Sequence, residues 1–181
     1  MVNKAFFLDR DGVLNVEVSY LGDPEKMELL PGAAQAVKLL HQRGFMAVVI
    51  TNQGGVAKGL FTKENVLEIH ARMQRELLAY DKEALLDGFY CCFHHPSVTG
   101  SCICRKPNGY MLEKAAKDFD IDLSSSFMIG DRMSDLFAGR NAGCANSCLV
   151  RTGYGQADVE NAEKEGFIIA ADLLDAVNKL T

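Results

Sequence analysis

The chain has 181 residues, 48% of them hydrophobic, and a formal net charge of −5. This size fits one compact domain, residues 1–181, with a sizeable core, and the acidic balance argues against nucleic acid as a partner. The N-terminal region holds an apolar run of only four residues, too short for a signal peptide or a membrane span. We therefore expect a cytoplasmic monomer without membrane association, whose cysteines bind metal or stay buried rather than form disulfides.

The first predicted element is a buried strand, residues 5–8, which ends at Asp9 and Asp11. A short, continuous apolar run is typical of a parallel strand, and open α/β sheets bind ligands at the carboxyl ends of such strands. Two carboxylates two residues apart lean the same way in extended backbone and repel each other unless a cation or a proton lies between them. This pattern favours a metal-assisted catalytic pair; the alternative is an ordinary surface turn rich in Asp and Gly.

The rest of the chain alternates helical and extended patterns. A loop, residues 16–30, is expected to fold over the end of the first strand, and helices are predicted at residues 31–43, 63–79, 111–119, 134–141 and 173–180. Further strands are predicted at residues 45–50, 88–92, 127–129, 145–150 and 167–169. Thr62 is the expected N-cap of the second helix, with an incomplete capping box because Asn65 replaces the usual Glu or Gln.

This alternation predicts an α/β fold, a Rossmann-like, doubly wound parallel sheet in a single domain. No connection is long enough for a covering domain, so the fold is expected to be capless. Thr51 and Asn52 follow the second strand, Lys106 follows the third, and Asp131 and Asp135 follow the fourth. Because parallel strands end at one edge, we expect these side chains to meet Asp9 in one crevice. Asp135 is either a support for this group or a plain surface acid.

These side chains form a chemically sensible set for phosphoryl transfer. Asp9 is the predicted nucleophile that forms an aspartyl-phosphate, and Asp11 is the predicted acid and base that protonates the departing oxygen and then activates water. Mg²⁺ is the predicted cofactor, because hard oxygen ligands suit it, with Asp9, Asp11 and Asp131 as its ligands. Lys106 and the hydroxyl of Thr51 would bind the phosphoryl oxygens.

Four marks together carry a family resemblance. They are Asp-x-Asp-Gly from Asp9, Thr51 after the second strand, Lys106-Pro107, and Gly-Asp-x3-Asp ending at Asp135. Their order and spacing, which extend over most of the chain, resemble the haloacid dehalogenase superfamily of phosphatases. The resemblance implies hydrolysis of a phosphomonoester with Mg²⁺.

A zinc-binding loop is predicted at residues 91–107. Two short arms closed by a glycine-containing turn carry the expected Zn²⁺ ligands Cys92, His94, Cys102 and Cys104. Three thiolates and one imidazole are a typical structural zinc set. Cys91 and His95 are alternative ligands that the spacing leaves open.

The stretches around these residues are similar to a subgroup of that superfamily, which contains heptose-bisphosphate and histidinol-phosphate phosphatases. The resemblance implies a sugar bisphosphate substrate, with removal of the 7-phosphate of a heptose 1,7-bisphosphate on the route to nucleotide-activated heptose for lipopolysaccharide. It also implies that the substrate contacts Glu17, Val18, Ser19, Tyr20, Thr51, Asn52, Gln53, Gly54, Arg105, Lys106 and Arg132.

Two alternatives to this function are open at the level of sequence. Histidinol-phosphate phosphatase would share the fold and the zinc loop. A zinc-stapled binding module, a protein of a different class, would leave the placement of Thr51 and Lys106 unexplained. We also expect Arg105 and Arg132 to bind a second phosphate, and we hypothesise that the zinc loop fixes Arg105 in place of a cap.

Overall fold

One six-stranded parallel sheet forms the centre of the computed structural model, which describes residues 2–181. Its strands are β1 (Ala5–Leu8), β2 (Met46–Asn52), β3 (Gly88–Cys92), β4 (Phe127–Gly130), β5 (Asn146–Val150) and β6 (Ile168–Ala170). They lie in the order β3-β2-β1-β4-β5-β6, and every neighbouring pair is parallel. The doubly wound sheet that the alternating pattern predicted is confirmed, without a separate domain over its edge within residues 2–181.

Seven α-helices connect and cover these strands. They are α1 (Ala33–Gln42), α2 (Lys63–Tyr80), α3 (Pro96–Thr99), α4 (Tyr110–Phe119), α5 (Met133–Ala142), α6 (Gly155–Lys164) and α7 (Leu173–Leu180), with short 3-10 turns at Pro24–Lys26 and Leu123–Ser125. Helices α3 and α6 were not predicted from the sequence. Helix α6 buries only Gly155 and Ala162, so its sequence carries little of the apolar periodicity that identifies a helix.

The core has two sides because alternate residues of β1 point to opposite faces of the sheet. Phe6 and Leu8 pack with apolar residues of α1, α2 and α7. Ala5 and Phe7 pack on the other face, with apolar residues of α4 and α5. All four residues are fully buried, which explains why this strand is a continuous apolar run rather than an alternating one.

The start of helix α2 is closed by a capping box. The main-chain N–H of Thr62 donates to Asn65 Oδ1 at 2.9 Å, and the N–H of Asn65 donates to Thr62 Oγ1 at 3.3 Å. The expectation of an incomplete capping box is therefore wrong, since the shorter Asn side chain still reaches the N-cap.

Among residues 2–181 there is no helix with the length and apolar character needed to cross a bilayer.

The connections of the sheet fix where a ligand can bind. From β1 the chain moves outward through β2 and β3, then returns to the other side of β1 for β4, β5 and β6. The carboxyl ends of β1 and β4 are therefore adjacent where the strand order reverses, and open α/β sheets have their crevice at this point. Asp9 directly follows β1, and Asp131 directly follows β4.

Candidate active site

A buried lysine joins two acids at this point. Lys106 Nζ lies 2.8 Å from Asp9 Oδ1 and 2.8 Å from Asp135 Oδ1, and it donates to the main-chain oxygen of Ile50 at 2.8 Å. Asp135, in the first turn of α5, also accepts a hydrogen bond from the N–H of Arg132 at 3.0 Å. Asp135 is buried, so the alternative that it is a surface acid is wrong.

Asp131 is held by main chain and is enclosed by glycines. Its Oδ2 accepts a hydrogen bond from the N–H of Tyr154 at 2.8 Å, and its Oδ1 is buried without a partner in the described chain. Gly12 and Gly153 both have positive φ, and a Cβ on either would lie 2.3 or 2.1 Å from Asp131 Oδ2. Only glycine fits these two positions, which lets two loops close around the carboxylate.

The four residues Asp9, Lys106, Asp131 and Asp135, called the floor below, have an unbalanced charge. Oxygens of the three acids lie within 4.8 Å of one another, and one lysine faces them. Burial raises the pKa of Asp9 despite the lowering effect of Lys106, and the charges of Asp135 and Asp131 act in the same direction as burial. Burial also raises the pKa of Asp131, to about 6. A divalent cation would neutralise the remaining charge and give Asp131 Oδ1 a partner, so the floor fits Mg²⁺.

Lys106 stays charged in this setting. Burial acts to lower the pKa of Lys106, but the charges of Asp135 and Asp9 outweigh it, so the pKa is raised above its ordinary value. The lysine is thus a fixed cation beside Asp9, where an anionic phosphoryl group would have to approach.

Asp11 lies apart from the three acids of the floor. The buried guanidinium of Arg10 donates to both of its carboxylate oxygens, at 2.9 and 2.8 Å, and Asn15 and Gln53 each donate to it at 3.0 Å. Burial acts to raise the pKa of Asp11, but Arg10 and these hydrogen bonds lower it overall. Asp11 is therefore an ionised, firmly oriented carboxylate, and Gln53 links it to Thr51 by a further hydrogen bond of 2.8 Å.

A cavity of about 400 Å³ opens above the floor. All eleven residues that the resemblance implied for substrate contact line it: Glu17, Val18, Ser19, Tyr20, Thr51, Asn52, Gln53, Gly54, Arg105, Lys106 and Arg132. The two catalytic candidates, Asp9 and Asp11, line it as well. Their placement agrees with the predicted convergence, while their roles in binding and chemistry stay predictions.

Sequence reasoning missed several residues of the cavity wall, among them Phe61, His95 and Tyr154. Phe61 packs on glycines of two loops, since a Cβ on Gly22 or Gly55 would lie 2.6 or 2.3 Å from its side chain. No sequence signal marks Phe61. His95 stands out in the sequence because it directly follows His94, but this position suggests only an alternative metal ligand and not a residue of the cavity wall.

The loop after β3 gathers a second group of metal-binding side chains. Cys92, His94, Cys102 and Cys104 offer ligand atoms that all lie within 4.8 Å of one another. The sulfur of Cys92 lies 3.6 Å from that of Cys102 and 3.1 Å from that of Cys104, which excludes disulfides. A tetrahedral zinc ion would place its sulfur ligands about 3.8 Å apart, so the group fits Zn²⁺. Cys91 and His95 lie outside it.

Sheet order, acid placement and the bridging lysine together define a class of protein, the phosphoryl-transfer hydrolases of the haloacid dehalogenase type. A family model described as HAD-hydrolase-like matches residues 103–176. The D-glycero-beta-D-manno-heptose-1,7-bisphosphate 7-phosphatase of Haemophilus ducreyi is 37% identical over 98% of this chain and 98% of that protein. The Escherichia coli protein of the same name is 37% identical over 97% of this chain and 94% of its own length.

A solved structure gives the same result. The D,D-heptose 1,7-bisphosphate phosphatase of B. bronchiseptica, complexed with magnesium and phosphate, superposes with a TM-score of 0.89 at 35% identity, covering 98% of this chain and 97% of that chain. This chain belongs to the heptose-bisphosphate phosphatase family of the haloacid dehalogenase-like hydrolases.

Proposed function

We propose that this chain removes the 7-phosphate of D-glycero-D-manno-heptose 1,7-bisphosphate in a Mg²⁺-dependent reaction. The observation that carries the proposal is the floor, where Lys106 bridges Asp9 and Asp135 beside an Asp131 oxygen that has no partner. The heptose-bisphosphate phosphatases with which it shares its sequence and fold support the choice of substrate. The pathway would be the synthesis of nucleotide-activated heptose for the lipopolysaccharide core.

Asp9 is the residue that would form the covalent intermediate. One carboxylate oxygen attacks the phosphorus, a new O–P bond forms, and the bond from phosphorus to the C7 oxygen of the sugar breaks. Lys106, held 2.8 Å from Asp9, would bind a phosphoryl oxygen and lower the repulsion between the two anions. Thr51 lines the same cavity, and its hydroxyl is placed to assist.

Asp11 would move the proton in both halves of the reaction. It gives a proton to the departing C7 oxygen, then takes one from the water that attacks the aspartyl-phosphate and releases phosphate. Its lowered pKa suits the second role directly. For the first role, the incoming phosphoryl dianion must raise the proton affinity of Asp11, as a like charge at close range does.

Asp9 and Asp131 are the residues that we expect to hold Mg²⁺. When bound there, the ion neutralises charge that builds up on the phosphoryl oxygens. A third ligand from Asp11 stays a prediction, because Arg10, Asn15 and Gln53 hold its carboxylate in the structure.

Zn²⁺ is the second metal of the proposal, held by the four ligands of the loop at residues 91–107. Three close cysteines that do not pair suit a reducing compartment, which supports the proposed cytoplasmic location. We further propose that residues 1–181 act as one domain and as a monomer, on a small sugar bisphosphate rather than on nucleic acid or membrane.

Phosphate release from a panel of purified compounds tests the substrate. We expect the highest kcat/KM for the heptose 1,7-bisphosphate, with the 1-phosphate kept in the product, and lower values for histidinol phosphate and a nucleotide. Preference for histidinol phosphate would overturn the substrate assignment and leave the chemistry intact. No release from any phosphomonoester would overturn the enzyme assignment.

A further inference from the structure

Three nitrogen-bearing side chains from three different segments lie in or beside the cavity wall: His95 and Arg105 line the cavity, and Lys58 contacts Tyr20, which lines it. Lys58 lies in the loop after β2, His95 follows β3, and Arg105 precedes Lys106. We call these three residues the basic rim. The family resemblance implies substrate contact for Arg105, whereas the sequence pattern implies no role for Lys58 and only that of an alternative metal ligand for His95.

Two residues of the basic rim, His95 and Arg105, lie close together, and Lys58 lies beside Tyr20. Arg105 Nη1 donates to the main-chain oxygen of His94 at 3.1 Å. A Cβ on Gly54 would lie 3.0 Å from the His95 ring and 3.3 Å from Arg105 Nη1, so both side chains meet over this glycine. Lys58 Nζ contacts the hydroxyl of Tyr20, a residue of the cavity wall, and lies 4.7 Å from the centre of its ring.

His95 presents a hydrogen-bond donor. The main-chain N–H of Ser97 donates to His95 Nδ1 at 3.3 Å, so in the neutral ring the hydrogen is on Nε2. Nε2 has no partner among residues 2–181, and the ring lines the cavity. Burial and the charges of Lys58 and Arg105 lower the pKa of His95.

No carboxylate compensates this end of the cavity. Within the described residues, neither Lys58 nor Arg105 forms a salt bridge, although the chain carries a net charge of −5. Arg132 differs, because its charge acts on Glu17 and Asp131, and its guanidinium stacks 3.8 Å from the Tyr154 ring. Two cations without an acidic partner, together with an N–H donor beside one of them, suit a phosphate group.

We propose that Lys58 and His95 join Arg105 in binding the phosphate that the enzyme does not hydrolyse, and that they set the preference for a bisphosphate over a monophosphate. The inference rests on the proposed function. It gives the two ends of the substrate separate partners: the floor receives the reacting phosphate, and the basic rim receives the other.

Kinetics with matched substrates test this assignment. For Lys58→Met and His95→Leu, we expect kcat/KM for the heptose 1,7-bisphosphate to fall about tenfold to hundredfold, mainly through KM, as expected for a lost hydrogen bond to a charged group. The preference for the bisphosphate over the 7-monophosphate should fall by the same factor. Lys58→Arg and His95→Gln, which keep a donor, should restore much of it.

Controls separate binding from damage to the fold. Lys82→Met removes an exposed lysine from the turn before β3. This turn lies at the amino ends of the strands, away from the cavity at their carboxyl ends, so the variant should leave the preference unchanged. The His95 variants should retain their zinc, because His95 lies outside the ligand group. An unchanged preference in Lys58→Met and His95→Leu would overturn the inference and leave the proposed function standing. A wild-type enzyme that does not hydrolyse the bisphosphate would overturn both.

Discussion

The floor and the basic rim of one cavity differ in burial and in charge. On the floor, Asp9, Lys106 and Asp131 are at most 8% exposed, Lys106 is paired with Asp9, and Asp131 Oδ1 is buried without a partner. On the basic rim, Lys58 is exposed, and His95 and Arg105 are partly exposed without an acidic partner. Buried charges must be satisfied by one another, which fixes their geometry; exposed charges stay free to meet a ligand.

We expect this difference in burial and charge to separate the residues that carry out the reaction from those that select the substrate. In the proposed reaction, the floor would contact only the phosphoryl group and the metal, so its chemistry would act on any phosphomonoester. The basic rim and the loops near Tyr20 would contact the part of the substrate that is attached to that group. Substitutions on the floor should therefore lower kcat for every substrate, whereas substitutions on the rim should change the ranking of substrates.

The largest effect is expected for the nucleophile. Asp9→Asn replaces the attacking carboxylate with an amide of the same shape, and we expect kcat to fall on the order of 10⁴-fold or more for all substrates. Rapid-quench or steady-state phosphate release measures it, and thermal unfolding checks that the variant folds. Activity close to wild type in Asp9→Asn would contradict the role of Asp9 as nucleophile.

A smaller and more selective effect is expected for Asp11. Asp11→Asn should lower kcat by about 10²–10⁴-fold for the sugar phosphate, the range for loss of a general acid and base. An aryl phosphate, whose leaving group needs no proton, should lose less in the first step. Equal losses for both substrates in burst kinetics would contradict the acid role of Asp11.

The zinc loop, residues 91–107, connects the two regions because it carries both Arg105 of the basic rim and Lys106 of the floor. Arg105 directly follows Cys104 and donates a hydrogen bond to the main-chain oxygen of His94. The double variant Cys102→Ser, Cys104→Ser should lose zinc and lower turnover by about tenfold to hundredfold, as loss of supporting contacts around a metal site does. Metal analysis and kinetics on the same sample measure both. Cys144→Ala, outside the ligand group, is the matched control. Full turnover without zinc would contradict a supporting role for the loop.

The smallest effect concerns the pH dependence of folding stability, which we expect to depend on His70, a buried residue of α2. Burial, with a further contribution from Arg10, lowers the pKa of His70 to about 3, and both ring nitrogens are without partners. Because unfolded histidine binds a proton near pH 6.5, stability should fall as the pH drops below that value. Between pH 7 and pH 5, the wild type should lose about 2 kcal/mol more than His70→Gln. Urea unfolding at both pH values measures this; equal losses would show that His70 is not buried as a neutral ring.

The sequence was sufficient for the parts of the molecule that repeat a simple pattern. Continuous apolar runs located the strands, and polar residues at their carboxyl ends located Asp9, Thr51 and Asp131, although Thr51 lies within β2 rather than after it. Helix α6 was missed because its few buried residues leave no apolar period. The burial of Asp135 was not predictable, since it depends on Lys106 arriving from another segment of the chain.

The direction in which a side chain points was the second property that could not be predicted from the sequence. Spacing alone could not tell His94 from His95 or Cys92 from Cys91, because neighbouring residues in an extended segment point to opposite sides and either choice gives four ligands. The role of Arg10 was equally hidden. It stands between the two candidate catalytic acids in sequence, but its buried guanidinium donates to Asp11.

The position of β1 between β2 and β4 has a consequence for synthesis of the protein. The ribosome completes β1 first, yet its second neighbour is made more than a hundred residues later. Until then, this entirely apolar strand has an open hydrogen-bonding edge, which invites aberrant pairing with other chains. Nascent or truncated chains that end before Phe127 should therefore depend on chaperones far more than the finished enzyme does.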